Sequence, residues 1–344
     1  EIVSAQSVAI ISAQSVAIAS AQSVAIRLLI SSDCIMKARY WCPTRFSAWF
    51  SSVPLNLITC HTLYTSFLGQ WLQAENNPSN LSAVMDRLFQ VIPGDQHYLD
   101  AGPSRCRSCS VVGNSGNLLS SNYGRLIDTS DFVIRINQAP TQGFERDVGY
   151  RTTHHVMYPE SAVDLQNSST ILLLVPFKVL DLEWLISALT SGHIKFTYMP
   201  VKNRITANSQ NVLVYNPSFM KYVYEVWLEG HGRYPSTGFL SLILALHVCD
   251  QRGGWVDGWV DGRVDGRVDG RVDGWTDGRA GGRVEGRVNV FGFGADQEGN
   301  WHHYWEENTM KSAFKETGVH NAEFEYNITQ LLAQKGKIRL FKGI

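Results

Sequence analysis

The chain has 344 residues, 44% hydrophobic and 11% aromatic, which is enough apolar side chain to bury a full core and excludes wholesale disorder. Lys and Arg number 30 against 31 Asp and Glu, a formal charge of -1. Such a balance gives no global field for a phosphate backbone and argues against a dedicated nucleic-acid binder.

The amino terminus reads Ser-Ala-Gln-Ser-Val-Ala-Ile three times, from Ser4, Ser12 and Ser20, with a period of eight residues that no ordinary helix or strand requires. The stretch from Ile2 to Ile26 is uncharged and long enough to span a bilayer, but Gln6, Gln14, Gln22 and six serines lower its apolarity. Arg27, Lys37 and Arg39 follow it, opposite to the charge bias of an anchor that leaves the carboxyl domain in a lumen. A second repeat, residues 252–287, carries a Gly-(Trp/Arg)-Val-Asp unit about every four residues, with seven arginines and seven acids. Glycine in each unit suits neither a helix nor a paired strand, so a charge-balanced loop is expected. Its aspartates do not follow the nine-residue calcium-roll spacing. Both repeats look like translated tandem DNA.

Between them the pattern is α/β. Strands are predicted at Ser110 to Val112, Phe132 to Ile136, Ile171 to Val175, Lys195 to Met199, Val212 to Tyr215, Val288 to Phe293 and Ile338 to Phe341. Helices are predicted at Leu180 to Leu189, Met220 to Leu228 and Gly238 to Val248, the last apolar almost all round. The alternation implies a doubly wound, mainly parallel, Rossmann-like sheet, whose ligands sit beyond the carboxyl ends of its strands. At the first such end, Gly113-Asn-Ser-Gly116-Asn lets the backbone approach a ligand, and Asn114, Ser115 and Asn117 offer hydrogen bonds suited to a nucleotide. The second strand ends at Asn137 and the sixth runs on to Gly294. Ser236 or Thr237 is a helix N-cap whose amides favour an anion, with Gly238 next in line.

The histidines of Trp301-His-His-Tyr-Trp-Glu306 and of Gly318-Val-His320 follow the last central strand; imidazole can exchange a proton near neutral pH. His154 and His302 read as structural. No His-Glu-x-x-His, paired Cys-x-x-Cys or Asp-x-Asp occurs, so no metal is expected, and a leaving group must be neutralised by protein donors. The glycine fingerprint of a dinucleotide oxidoreductase is incomplete.

These residues carry a family resemblance. Cys109-Ser-Val-Val-Gly-Asn-Ser-Gly-Asn-Leu through Asp131-Phe-Val-Ile-Arg-Ile-Asn137, with Thr152-Thr-His-His-Val-Met-Tyr-Pro-Glu-Ser161, resembles the large sialyl motif. Tyr215-Asn-Pro-Ser-Phe through Tyr234-Pro-Ser-Thr-Gly238 to His247-Val-Cys249 resembles the small one. His303-Tyr-Trp-Glu306 matches the third motif, and His320 with Glu325 the very small motif. The similarity is to animal β-galactoside α-2,3-sialyltransferases of the type acting on galactose-β1,3-N-acetylgalactosamine.

The resemblance implies the GT-A-variant sialyltransferase fold and transfer of sialic acid from CMP-N-acetylneuraminate to a galactose 3-hydroxyl, inverting and without a metal or other cofactor. The acceptor would be a galactose-terminated glycoprotein or glycolipid. It implies His320 as general base and His303 as the donor to the departing phosphate. Asn114, Ser115, Asn137, Tyr198, Tyr234, Ser236, Thr237, Gly238 and Gly294 would bind the CMP-sialate donor, and Gln73 with Tyr234 the acceptor. It implies a Cys109–Cys249 disulfide, with Cys106 pairing to an amino-terminal cysteine. It also implies a type II Golgi membrane protein: residues 1–30 as repeat or degraded anchor, 31–70 as stem, and 71–344 as lumenal catalytic domain interrupted at 252–287. Sequons at Asn80, Asn167 and Asn327 agree with that route. The competing expectation is a catalytically inactive glycan- or nucleotide-binding relative, made so by the insertion and the altered amino terminus.

Overall fold

The computed structural model describes residues 72–92, 107–249, 288–306 and 319–343. The terminal repeat, the stem, the insertion and Cys106 with its partner lie outside them. The elements are α1 (Leu81–Val91), β1 (Cys109–Val112), α2 (Gly124–Asp128), β2 (Phe132–Ile136), α3 (Glu145–Val148), β3 (His154–Met157), β4 (Ile171–Leu174), α4 (Val179–Leu189), β5 (Val212–Val214), α5 (Pro217–Tyr222), α6 (Thr237–Val248), β6 (Val288–Phe291), α7 (Ala322–Gln334) and β7 (Arg339–Phe341). The seven strands form one sheet in the order β5-β4-β3-β2-β1-β6-β7, and all six pairings are parallel. The chain runs outward from β1 to β5 and returns to β6 beside β1. The switch point of the sheet therefore lies between β1 and β6, where an open α/β sheet places its ligand crevice.

Strand residues alternate between two covered faces. Val111, Ile134, Val156, Leu173 and Val290 pack with α6, whose residues Phe239 to His247 are all buried, as its all-round apolarity predicts. On the other face Met157, Leu172, Leu174 and Val212 pack with α1 and α4 around buried Trp184, and Val112, Val133 and Phe291 gather around Leu118 and Tyr304.

Two expectations need correction, and one strand was not predicted. Lys195 to Met199 is not a strand: it is a turn with a single bridge between Phe196 and Pro200, and Phe196, Tyr198 and Met199 are exposed. Its alternating pattern has no neighbouring strand to pair with, and Pro200 lacks an amide. Conversely, β3 is a full strand despite its two histidines. Both rings are buried, His154 Nδ1 lies 2.9 Å from Thr153 Oγ1, and His155 Nε2 bonds the carbonyl of Asn137. Burial pushes both imidazoles down to about 4, so they stay neutral. The helix expected over Met220 to Leu228 is α only to Tyr222 and continues as a π turn over Val223–Trp227.

Candidate active site

The loops at the switch point are held by their own backbone. Ser115 N–H donates to Gly292 O at 3.1 Å, Gly116 N–H to His302 O at 2.8 Å, and Tyr304 N–H to Asn114 O at 3.0 Å. Ser115 and His303 form an antiparallel bridge, so the third-motif segment lies directly on the β1 loop. Gly116 is required there: a Cβ would stand 2.1 Å from His302 Cε1. Gly294 has φ +85°, and a Cβ there would meet the Tyr326 ring of α7 at 2.5 Å. Asn114 Nδ2 donates to Ile136 O at 2.9 Å, which draws the β1 and β2 ends together. Asn137 is left-handed at φ 59°, a conformation asparagine tolerates, and its Oδ1 accepts from Ser161 Oγ at 3.0 Å.

His302 is structural, as read from sequence: its Nε2 lies 3.0 Å from Asp296 Oδ2. Burial raises the Asp296 carboxyl, but hydrogen bonds from Asn300, His302 and Glu298 outweigh it and hold the carboxyl below its ordinary range. His303 makes a different set of contacts. Its Nδ1 lies 2.9 Å from Glu306 Oε1, and its ring stacks on Trp305 at 4.5 Å, two contacts that fix the ring plane.

His320 precedes α7, and its Nδ1 donates to Tyr234 O at 2.8 Å. A carbonyl only accepts, so in the neutral ring the proton sits on Nδ1 and the lone pair on Nε2. Burial lowers the His320 pKa, partly opposed by that hydrogen bond, so the ring is neutral at neutral pH and able to take a proton. The loop carrying Tyr234 is tied to the same place by Arg233 N–H to Val319 O at 2.9 Å, and His231 stacks on Phe324 of α7 at 3.9 Å.

Ser236 is the cap of α6, accepting from Phe239 N–H at 3.0 Å. Its own polar groups are also engaged by a neighbouring carboxyl. The Ser236 amide donates to Glu325 Oε1 at 2.7 Å, and its hydroxyl donates to Oε2. Burial pushes the Glu325 carboxyl up to about 7 against these two hydrogen bonds. A carboxylate at a helix start is favoured by the dipole, so the very small motif clamps α6 to α7. Thr237 is buried; Gly238 lies open enough that a Cβ would find only Ser236 and Phe293 at ordinary contact distance.

Gln73 reaches the same end of the sheet, its N–H donating to Phe177 O at 2.7 Å. The Phe177 ring meets Tyr234 edge-on at 6.0 Å and Tyr158 at 5.9 Å. Tyr198 is 65% exposed on its turn with Lys178 Nζ over its ring. Contacts thus run without a break from His303 through Ser115, Asn114, Ile136 and Asn137 to Ser161, then through Tyr158, Phe177 and Tyr234 to His320. Of the predicted donor and acceptor residues, His303, Ser115, Asn114, Asn137, Tyr234 and His320 lie on this run, and Gln73 bonds to Phe177 within it. Phe177 and Ser161 escaped sequence reading because an apolar residue after a strand and a serine in a turn carry no local signal of a site. Among the described residues no group of three His, Cys, Asp or Glu converges to hold a metal.

At the opposite, amino end of the sheet Cys109 is disulfide-bonded to Cys249, with Cα atoms 6.2 Å apart, and Cys109 is also the register partner of Val288. The described residues that flank the insertion, Cys249 and Val288, therefore both lie beside Cys109, at the end of the sheet away from the crevice.

A family model for glycosyltransferase family 29 (sialyltransferase) matches residues 59–252 and 286–337. The chain is 49% identical over 273 residues to CMP-N-acetylneuraminate-beta-galactosamide-alpha-2,3-sialyltransferase 1 of Gallus gallus, covering 79% of this chain and 69% of that one. To its Homo sapiens namesake it is 45% identical, covering 87% and 80%. The fold is similar to the crystal structure of a mammalian sialyltransferase in complex with Gal-beta-1-3GalNAc-ortho-nitrophenol, at TM-score 0.61 and 43% identity, over 83% of this chain and 86% of that chain. The sheet order, the switch-point site and these matches agree: the chain is an enzyme of glycosyltransferase family 29, the sialyltransferases.

Proposed function

We propose that the enzyme transfers sialic acid from CMP-N-acetylneuraminate to the 3-hydroxyl of the galactose in galactose-β1,3-N-acetylgalactosamine, with inversion and without a metal. The observation that carries this reading is the contact of His320 Nδ1 with the Tyr234 carbonyl, which assigns the ring proton to Nδ1 and leaves Nε2 as a base on the rim that also holds Gln73 and Tyr234. In the reaction the galactose hydroxyl gives its proton to Nε2 as its oxygen bonds the anomeric carbon. The bond from that carbon to the phosphate oxygen breaks, and the electron pair leaves with CMP. The His303 ring, steadied by Glu306 and Trp305, donates to that phosphate, with the Tyr198 and Tyr234 hydroxyls beside it. Asn114 and Asn137 hold the nucleotide at the β1 and β2 ends, and Gly294 lines its pocket. Such fixed donors stabilise an oxocarbenium-like transition state where a cation otherwise would.

The activity named for the relatives and the acceptor analogue bound in the solved structure support the linkage and the disaccharide. The disulfide supports an oxidising lumen, consistent with a Golgi catalytic domain. Among the described residues no helix is long and apolar enough to cross a membrane. Incubating the enzyme with CMP-sialate and the disaccharide, with and without a chelator, tests the reading through CMP release and linkage analysis. An α-2,3-linked product insensitive to chelator is expected; CMP binding without release contradicts it and favours an inactive relative.

A further inference from the structure

A buried charged cluster sits beneath the middle of the rim. Lys178, just before α4, carries Nζ 3.3 Å from Glu160 Oε1 and 3.3 Å from Asp181 Oδ1, with side chains 12%, 4% and 1% exposed respectively. Nζ also stands 4.5 Å from the centroid of the Tyr198 ring. Each partner of this ammonium leads to a different site residue. Glu160 accepts from Thr197 Oγ1, one residue before Tyr198. Glu160 also belongs to the Pro159–Ser161 turn whose Ser161 hydroxyl donates to Asn137. Asp181 Oδ2 accepts from the Phe177 amide at 2.7 Å and the Lys178 amide at 3.1 Å, which places the Phe177 carbonyl for Gln73 and the Phe177 ring for Tyr234.

Two buried carboxylates are costly without a cation between them, so the cluster has few alternative arrangements. Tyr198, by contrast, lies on an exposed turn, and beyond its neighbours' tethers the ring has the ammonium to hold it. We propose that Lys178 is a positioning residue: its ammonium fixes the Tyr198 ring toward the donor phosphate and locks donor-side Asn137 and acceptor-side Gln73 into one arrangement. The inference rests on the reading of Tyr198 as a phosphate contact.

Steady-state transfer by the full chain separates the two. Lys178→Met keeps the stem and removes the charge; it is expected to raise the donor KM by about 10-fold, and Lys178→Arg to return it to within about threefold. Tyr198→Phe is expected to raise the donor KM alone, but to add less than its full effect on top of Lys178→Met. Should Lys178→Met fail to fold, the charge-balanced pair Lys178→Met with Glu160→Gln is expected to give the same rise. Unchanged KM values in the lysine variants, a loss that arginine does not relieve, or strict additivity with Tyr198→Phe overturns the inference. If Tyr198→Phe alone is silent while Lys178→Met raises KM, the phosphate role of Tyr198 fails and the lysine retains its hold on Asn137 and Gln73.

Discussion

The two rims of the crevice are held together by different kinds of contact. Around the ends of β1, β2 and β6 several ties are backbone to backbone, as between Gly116 and His302, Asn114 and Tyr304, and Asn137 and Val156, with the Asn114 side chain on Ile136 O added to them. Around α6 and α7 the long-range ties include side chain to backbone bonds, His320 on the Tyr234 carbonyl and Glu325 on the Ser236 amide, beside the backbone bond of Arg233 to Val319. A backbone tie is indifferent to residue identity until a side chain fills its space. A side-chain tie disappears with the side chain. The first rim should therefore fail when atoms are added, and the second when functional groups are removed.

The largest effect is expected on the second rim, where His320→Ala should lower kcat by about 10²-fold or more in a transfer assay. His303→Ala should cost about 10²-fold as well, through loss of the leaving-group donor. Next is the clip at the far end of the sheet. Replacing Cys109 and Cys249 by alanine opens a cross-link between residues 140 apart and should lower unfolding free energy by about 4–5 kcal/mol in the chain-entropy model, read in denaturant titrations. Gly116→Ala breaks the first rim by addition. His302 is pinned by Asp296 and cannot swing away, so a cost of about 1–3 kcal/mol in stability is expected, together with reduced kcat as the His303 segment is displaced. The smallest effect belongs to deletion of residues 252–287. The flanking residues Cys249 and Val288 both lie beside Cys109, and loop closure costs only about 0.6 kcal/mol per doubling of length, so kcat should change by less than about twofold.

The same contrast explains what was legible in the sequence. Glycines and short polar residues after apolar runs marked the strand ends at Asn114, Asn137 and Gly294, because backbone geometry leaves a local trace. The apolar α6 was equally plain. β3 was hidden because its buried histidines read as polar until their partners, Thr153 and the Asn137 carbonyl, are in place. The turn at 195–200 misled in the opposite sense, since its alternation satisfies the strand rule with no partner strand. The long-range ties of the second rim leave no local trace. His320 and Tyr234 are 86 residues apart in sequence, and Ser236 and Glu325 are 89 apart. Motif resemblance pointed to His320 and Glu325, but the clamp between Glu325 and α6, and the part played by Phe177, emerge only from the fold.

The central claim is that His320, kept neutral by burial and oriented by the Tyr234 carbonyl, takes the acceptor proton. A base works only when unprotonated, so activity falls as pH drops through its pKa, and burial has moved that pKa below the ordinary histidine value of about 6.5. The most direct measurement is the pH profile of kcat/KM for wild type and His320→Ala side by side. The account predicts a wild-type acid limb below that value and its absence from the residual activity of the variant; an acid limb at or above about 6.5, or one that survives in His320→Ala, contradicts it.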